Sequence, residues 1–177
     1  SCPAPLAGLR IVDLTTGLAG PYCSKLLVDA GAEVIKVEPP GGDPMRRWSA
    51  FGGPIPGGRD SAFFAFLNAG KQSLVADPST DPGRRRLLGL LEEADVLLED
   101  LEPGGRERIG LGSEALGRST SRLATVSLTT FGADGPWSAR PGDEFVLQAL
   151  VGSTDARGLP GEMPISVGGR LGDVLLG

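Results

Sequence analysis

Short apolar runs alternate along this chain with stretches whose leucines recur at helical spacing. Residues 9–14 (LRIVDL), 33–38 (EVIKVE), 72–76, 95–100 (DVLLED) and 123–128 (LATVSL) each read as a short strand. Between them, Pro21 sits where a helix can begin, since proline is tolerated in a first helical turn, and Gly31 stops that helix after about Ala30. Ser61 caps a short helix to Leu67. Asp81-Pro82-Gly83 opens another to about Glu93, with Leu87, Leu88 and Leu91 on one face. Shorter helical turns are predicted after Pro103-Gly104-Gly105, ending near Ile109, and over 113–116; residues 144–151 read as a further helix. Strand, helix and strand in succession form a right-handed βαβ unit, and their repeated alternation predicts an α/β fold on a parallel sheet.

The turn after the first strand, Thr15-Thr16-Gly17-Leu18-Ala19-Gly20, is the most informative segment. It would aim the N–H groups and positive dipole end of the following helix at an anion. One reading is a dinucleotide site, with Glu38 about 20 residues on as the ribose-binding acid. Against it, Gly17 and Gly20 do not complete G-x-G-x-x-G, and Pro21 falls inside the fingerprint. The other reading is a tight turn with no ligand.

Composition narrows the chemistry. The chain has 177 residues, 40% hydrophobic and 22% charged, enough for one globular domain with a core. Its net charge of −5 disfavours nucleic acid as a partner. No apolar run reaches the length of a membrane span, so a membrane is not an expected partner either. The start, Ser-Cys-Pro-Ala-Pro, has no signal-peptide pattern, and Cys2 and Cys23 make no disulfide framework, so a reduced, cytoplasmic setting is the default. Glycine and proline are dispersed through the turns, which points to a loop-rich globular domain. The chain contains no histidine. Serine–histidine and cysteine–histidine catalysis are thereby excluded within it, as is a histidine-based zinc site, and no metal site is expected. Nucleophilic work falls to carboxylates, lysine, cysteine, tyrosine or hydroxyls.

The blocks LAGLRIVDLTTGLAGP, LLVDAGAEVIKVEPPGGD, NAGKQSL, ADVLLEDLEPGGRERIGLG, TTFGADGP and GDVLLG stand in an order and spacing that resembles the N-terminal part of family III (CaiB/BaiF-type) CoA-transferases. The resemblance implies a Rossmann-like parallel sheet with flanking helices, incomplete relative to the full family fold. It implies one CoA-binding domain over 1–177, with a Gly/Pro-rich loop at 152–172 leading to the active-site aspartate. Full-length members extend well beyond this chain and interlock as ring-shaped dimers, so the expected partners are a second copy or a complementing C-terminal half.

It further implies a chemistry. The family moves CoA from an acyl-CoA donor to a carboxylic acid through an aspartyl intermediate, so the substrates are acyl-CoA and a carboxylic acid and no prosthetic group is expected. Gly172-Asp173-Val174-Leu175-Leu176-Gly177 matches the nucleophile's setting and makes Asp173 the catalytic candidate. A competing structural reading has Asp173 capping a C-terminal helix. By the same match, Thr16, Gly17, Leu18, Ala19, Lys71, Asp100, Leu101, Arg108 and Ile109 are candidates for binding CoA. Lys71 and Arg108 are the preferred phosphate partners; Arg46 and Arg47 are weaker, and Arg84-Arg85-Arg86 reads as a solvated face. Asp100-Leu101 stands where Asn-Phe is frequent, so Asp100 is expected on a ribose hydroxyl or the adenine amino group. Thr16 stands where some transferases have histidine, and Pro39 where some members have arginine. The family's racemase branch uses a histidine where this chain has Gly142-Asp143-Glu144, which disfavours racemisation. A non-catalytic CoA-binding or interaction module is the remaining alternative.

Overall fold

The computed structural model describes residues 4–49, 52–119 and 122–176; Cys2 and Gly177, both singled out in the sequence, lie outside them. Five strands, β1 (Arg10–Asp13), β2 (Glu33–Glu38), β3 (Gln72–Val75), β4 (Val96–Glu99) and β5 (Ala124–Ser127), form one sheet in the order β3-β2-β1-β4-β5. Every pair is parallel, with Ile11 opposite both Val34 and Val96. Helices α1 (Ala19–Asp29), α2 (Ala62–Leu67), α3 (Asp81–Glu92), α4 (Gly105–Arg108), α5 (Ser113–Ser119), α6 (Glu144–Leu150) and α7 (Leu171–Leu176) connect and flank the strands. None of these helices is long and apolar enough to cross a membrane. The chain builds outward from β1 to β3, then crosses back to lay β4 on the other side of β1. Connections leaving β1 and β4 therefore diverge and open a crevice at their carboxyl ends, the usual ligand position of such sheets.

Successive strand residues point to opposite faces, so β1 serves two cores. Val12 packs with Val37, Leu97 and Leu111 against Leu87 and Leu91 of α3. Ile11 packs with Val34 and Leu98 beneath Leu27 and Val28 of α1. Each fully buried aliphatic side chain contributes about 1.5–3 kcal/mol. A third cluster, Leu18, Met45, Phe64 and Leu67 with Tyr22, Trp48 and Val174, ties the first βα turn to α2, α7 and the 3-10 turn Pro44–Arg47. Among the described residues the buried apolar side chains run from Ile11 to Leu116. Beyond Leu116 no described apolar side chain is buried, and all four residues of β5 are exposed.

The predicted strands are present, each trimmed by up to two residues except β2, which matches its predicted bounds. Helix α1 begins at Ala19, so Pro21 is its third residue. Its missing N–H is harmless there, because first-turn amides have no helical partner. Helix α7 is too short to show periodicity and depends on Val174 reaching the third cluster. Asp173 is the third residue of α7 and not its cap, which removes the capping reading.

Glu38, expected on one reading to bind a ribose, is instead buried in an ionic clip. Its carboxylate takes Arg46 Nε and Nη2 at 2.7 Å each, the Ser73 hydroxyl at 2.7 Å and the Asp43 N–H at 3.0 Å. Arg46 also reaches Asp60 and lies 3.9 Å over the Phe64 ring. Burial alone would raise the Glu38 carboxyl, but these donors outweigh it and hold it at about 2. The stability this group contributes is complete above its ordinary value of 4.5 and is lost as pH falls from there toward 2. Replacing Arg46 by leucine leaves a buried carboxylate without its ion pair and is expected to cost about 3 kcal/mol near neutral pH. Denaturant unfolding across pH 2–7 checks this: the variant should lose part of the acid-limb slope, the remainder coming from other carboxylates such as Asp13, and an unchanged slope would refute the assignment.

Candidate active site

Strand β1 ends at Asp13, whose side chain is fully buried. Its carboxylate accepts the Thr15 N–H at 2.9 Å, the Thr15 hydroxyl at 2.5 Å and the Ser24 hydroxyl at 2.6 Å. Lys71 Nζ stands 3.3 Å from it and Lys36 Nζ 3.8 Å. Lys36 also donates to the Thr15 carbonyl and pairs with buried Asp43 at 3.1 Å. Lys71 also donates to the Pro21 carbonyl at 2.9 Å and to Asn68 Oδ1 at 3.0 Å. Two carboxylates and two ammonium groups thus balance beneath the first βα turn. Burial opposes the charge on Asp13, yet Lys36 and Lys71 lower its carboxyl below the usual range. Burial is the larger influence on Lys71, bringing its ammonium down to about 8 against the attraction of Asp13.

Above this platform the turn can come close. Gly17 has φ +67°, a conformation that favours glycine, and a Cβ at Gly20 would lie 2.2 Å from the Thr15 side chain. Leu18 gives α1 no side-chain cap. The leading amides of α1 are therefore left for whatever enters the crevice.

That crevice is a cleft of about 520 Å³ at the carboxyl ends of β1, β4 and β5, lined by Thr16–Gly20, Asp100, Ser127–Thr130, Leu147, Arg170 and Asp173. A second cleft of about 490 Å³ adjoins it, lined by Asp100–Pro103, Leu128–Thr130 and Ser138–Gly142. Asp100 and Leu128–Thr130 border both. Each volume is that of an ordinary small-molecule pocket, and together they suit an extended ligand.

Two carboxylates face the first cleft. Asp100 accepts the Thr16 N–H at 2.7 Å and the Thr16 hydroxyl at 3.2 Å, so it latches the β1–α1 turn to the end of β4. Burial raises its carboxyl to about 6, more than the Thr16 bonds lower it. Asp173 is placed by α6 and α7. Asp143 caps α6 by accepting the Val146 N–H at 3.0 Å. Glu144 accepts the Gly172 N–H at 2.6 Å, and Gln148 exchanges bonds with both backbone groups of Val167, its oxygen accepting the N–H at 2.9 Å. With Val174 turned into the third cluster, Asp173, one residue round the helix, borders the cleft and pairs with Arg170.

Six of the sequence candidates, Thr16, Gly17, Leu18, Ala19, Asp100 and Asp173, therefore share one cleft, and Leu101 lines the next. Three do not join them. The Lys71 side chain is 1% exposed, and its donors are spent on Asp13, Pro21 and Asn68, so the expected phosphate contact gives way to a structural one. Arg108 pairs with Glu102 at 3.1 Å on the surface, outside both clefts. Ile109 packs against the α3 core. The weaker candidates are also engaged, Arg46 by Glu38 and Arg47 by the Arg59 carbonyl at 3.2 Å. Sequence reading missed Arg140, which lines the second cleft with its guanidinium 4.6 Å over the Trp137 ring, and Arg170. The usable signal was position: both follow β5, the last strand beside the switch point.

The profile of CoA-transferase family III matches residues 6–177. The chain belongs to that family. It is 39% identical to the acetyl-CoA:oxalate CoA-transferase of Acetobacter aceti, over 93% of this chain and 41% of that protein. It is 35% identical to the succinate–glutarate CoA-transferase of Agrobacterium fabrum, over 98% of this chain and 44% of that one. The crystal structure of a CaiB/BaiF family protein from Brucella suis superposes with a TM-score of 0.89 at 39% identity, covering 98% of this chain and 46% of the other. The chain thus spans less than half the length of these relatives.

This family III cleft carries a titration that can be followed directly. The Asp100 carboxyl should titrate with a midpoint near 6 by carbon-detected NMR, a signal absent from Asp100→Asn. Because its value is raised, the stability it confers is full below the ordinary 3.8 and is lost as pH rises through about 6. A midpoint near 4 would show that the carboxylate is better solvated than this geometry allows.

Proposed function

We propose that this chain carries the CoA-binding and nucleophilic half of an acyl-CoA:carboxylate CoA-transferase, with Asp173 as the nucleophile. One observation carries the reading: the Asp173 carboxylate borders the same cleft as the Thr16–Gly20 turn, although about 150 residues separate them in sequence.

In this mechanism an Asp173 oxygen attacks the carbonyl carbon of R–CO–S–CoA. The C–S bond breaks, leaving an aspartyl–acyl anhydride and the CoA thiolate. The thiolate attacks the Asp173 carbonyl and releases RCOO⁻, leaving an aspartyl thioester. The acceptor R′COO⁻ attacks the carbonyl of that thioester, the C–S bond breaks, and a second anhydride and the CoA thiolate form. The thiolate then attacks the R′ carbonyl, giving R′–CO–S–CoA and restoring the carboxylate. No external proton donor is needed, which suits a chain without histidine. The uncapped start of α1 favours negative charge in the cleft. Arg140, held on Trp137 in the adjoining cleft, is placed to meet the phosphates at the nucleotide end of CoA. Glu144 and Gln148 fix the segment on which Asp173 rides.

The relatives' names include oxalate, succinate and glutarate, which supports a small carboxylic acid as acceptor. The uncovered apolar side chains of β5, α6 and α7, among them Val126, Phe145, Leu150 and Leu175, support a further requirement. Polypeptide outside these residues, from the same chain or a second one, closes this side of the cleft.

Incubation with an acyl-CoA, borohydride reduction and mass spectrometry should find the modification on Asp173. Asp173→Ala should abolish both the modification and CoA transfer while CoA still binds within about threefold, a difference under 1 kcal/mol. Binding of acyl-CoA with no modification would favour a non-catalytic module, and undiminished turnover by the variant would refute the nucleophile.

A further inference from the structure

Arg170 is an unusual neighbour for a nucleophile. It is the one described non-glycine residue with positive φ, at +53°, a conformation uncommon for a long side chain and retained where the surroundings impose it. Its guanidinium Nε donates to Asp173 Oδ2, and the same guanidinium lies 5.4 Å from the centre of the Trp48 ring. Trp48 is itself stacked against Phe63 and packed on the cluster of Leu18, Met45 and Phe64. Arg170 is half exposed and is the only cationic side chain among the described residues lining the cleft, whose other charged groups are Asp100 and Asp173.

These facts pose a charge problem. A CoA-transferase acceptor is a carboxylate, and here it must approach a cleft bearing two carboxylates and one cation already paired. Acylation resolves the conflict. When Asp173 becomes an anhydride or a thioester it loses its charge, and the guanidinium loses its partner at the moment the acceptor must bind.

Resting on the transferase reading above, we propose that Arg170 is the acceptor-positioning residue. It pairs with Asp173 while that carboxylate is free, and holds the incoming acid's carboxylate beside the aspartyl carbonyl once Asp173 is acylated. The planar guanidinium suits both partners, and Trp48 provides a platform on which it can turn from one to the other. Binding of the acceptor is thereby linked to completion of the first half-reaction, and a free acid is excluded from the unacylated enzyme.

Asp173→Asn reproduces the neutral state without any turnover. Calorimetric titration of succinate into the intact protein should show at least tenfold tighter binding to Asp173→Asn than to the unsubstituted protein. Adding Arg170→Gly to that variant should abolish the gain. Glycine accepts the positive φ at position 170, so this change keeps the local backbone, and an unfolding midpoint equal to that of Asp173→Asn separates lost binding from misfolding. Arg170→Lys in the Asp173→Asn background should retain part of the gain, because the charge remains while the planar fork is lost. Equal succinate affinity with and without Asp173→Asn, or a gain that survives Arg170→Gly, would overturn the proposal alone. Failure of the Asp173 labelling experiment would remove the acylated state and overturn it together with the transferase reading.

Discussion

The balanced set of buried charges at the end of β1 is the constraint on which the rest depends. Asp13, Lys36, Asp43 and Lys71 come from β1, β2 and the loops after β2 and α2, and none of their side chains is more than 2% exposed. Desolvating four charges is costly, and such a cluster persists only when each charge is met and hydrogen-bonded. Here the contacts converge on the Thr15 amide, hydroxyl and carbonyl and on the Pro21 carbonyl. The cluster thus fixes the turn from both ends and lets Gly20 lie against Thr15. Lys71 serves the site by holding its floor, which is why it is not available to a phosphate.

On that floor the doubly wound sheet decides where ligand chemistry can occur. The switch point between β1 and β4 opens the crevice, Asp100 latches across it to Thr16, and the ends of β5 continue it into the second cleft. The two arginines divide along the same line. Arg140 stands in the outer cleft and Arg170 beside Asp173. The region that brings them is also the least buried, with apolar side chains of β5, α6 and α7 still open to solvent. Its positioning therefore rests on hydrogen bonds accepted by Glu144 and Gln148, and on apolar anchors such as Leu128 and Val174.

The parallel α/β architecture was legible because its strands are apolar runs of the right length and several of its helices, though not α1, carry side-chain caps. Ser61 accepts the Phe64 N–H, and Thr80 accepts the Gly83 N–H, as their local sequences require. The first βα turn was legible for the same reason. The 3-10 turn at Pro44–Arg47 was not, and helix α7 entered only as an alternative reading that started it at Asp173, since neither is long enough to show a period. Among the candidate site residues, those attached to strand ends were brought together. The isolated cations were not, because an arginine or lysine gives no local sign of which carboxylate will claim it. Glu38 and Arg46 claimed each other across eight residues, and Lys71 found Asp13 across 58.

The sequence by itself determined the strands, the principal helices, the absence of histidine from these 177 residues and the block pattern of CoA-transferase family III, on which the proposal for Asp173 rests. These are local properties, written in hydrophobic spacing, caps and motif order. Only the tertiary structure decided which charges are spent on the scaffold and which remain at the cleft, and that Arg170 stands against Asp173. Those outcomes depend on desolvation and on pairing between residues far apart in the chain, which have no value until the sheet has set the distances.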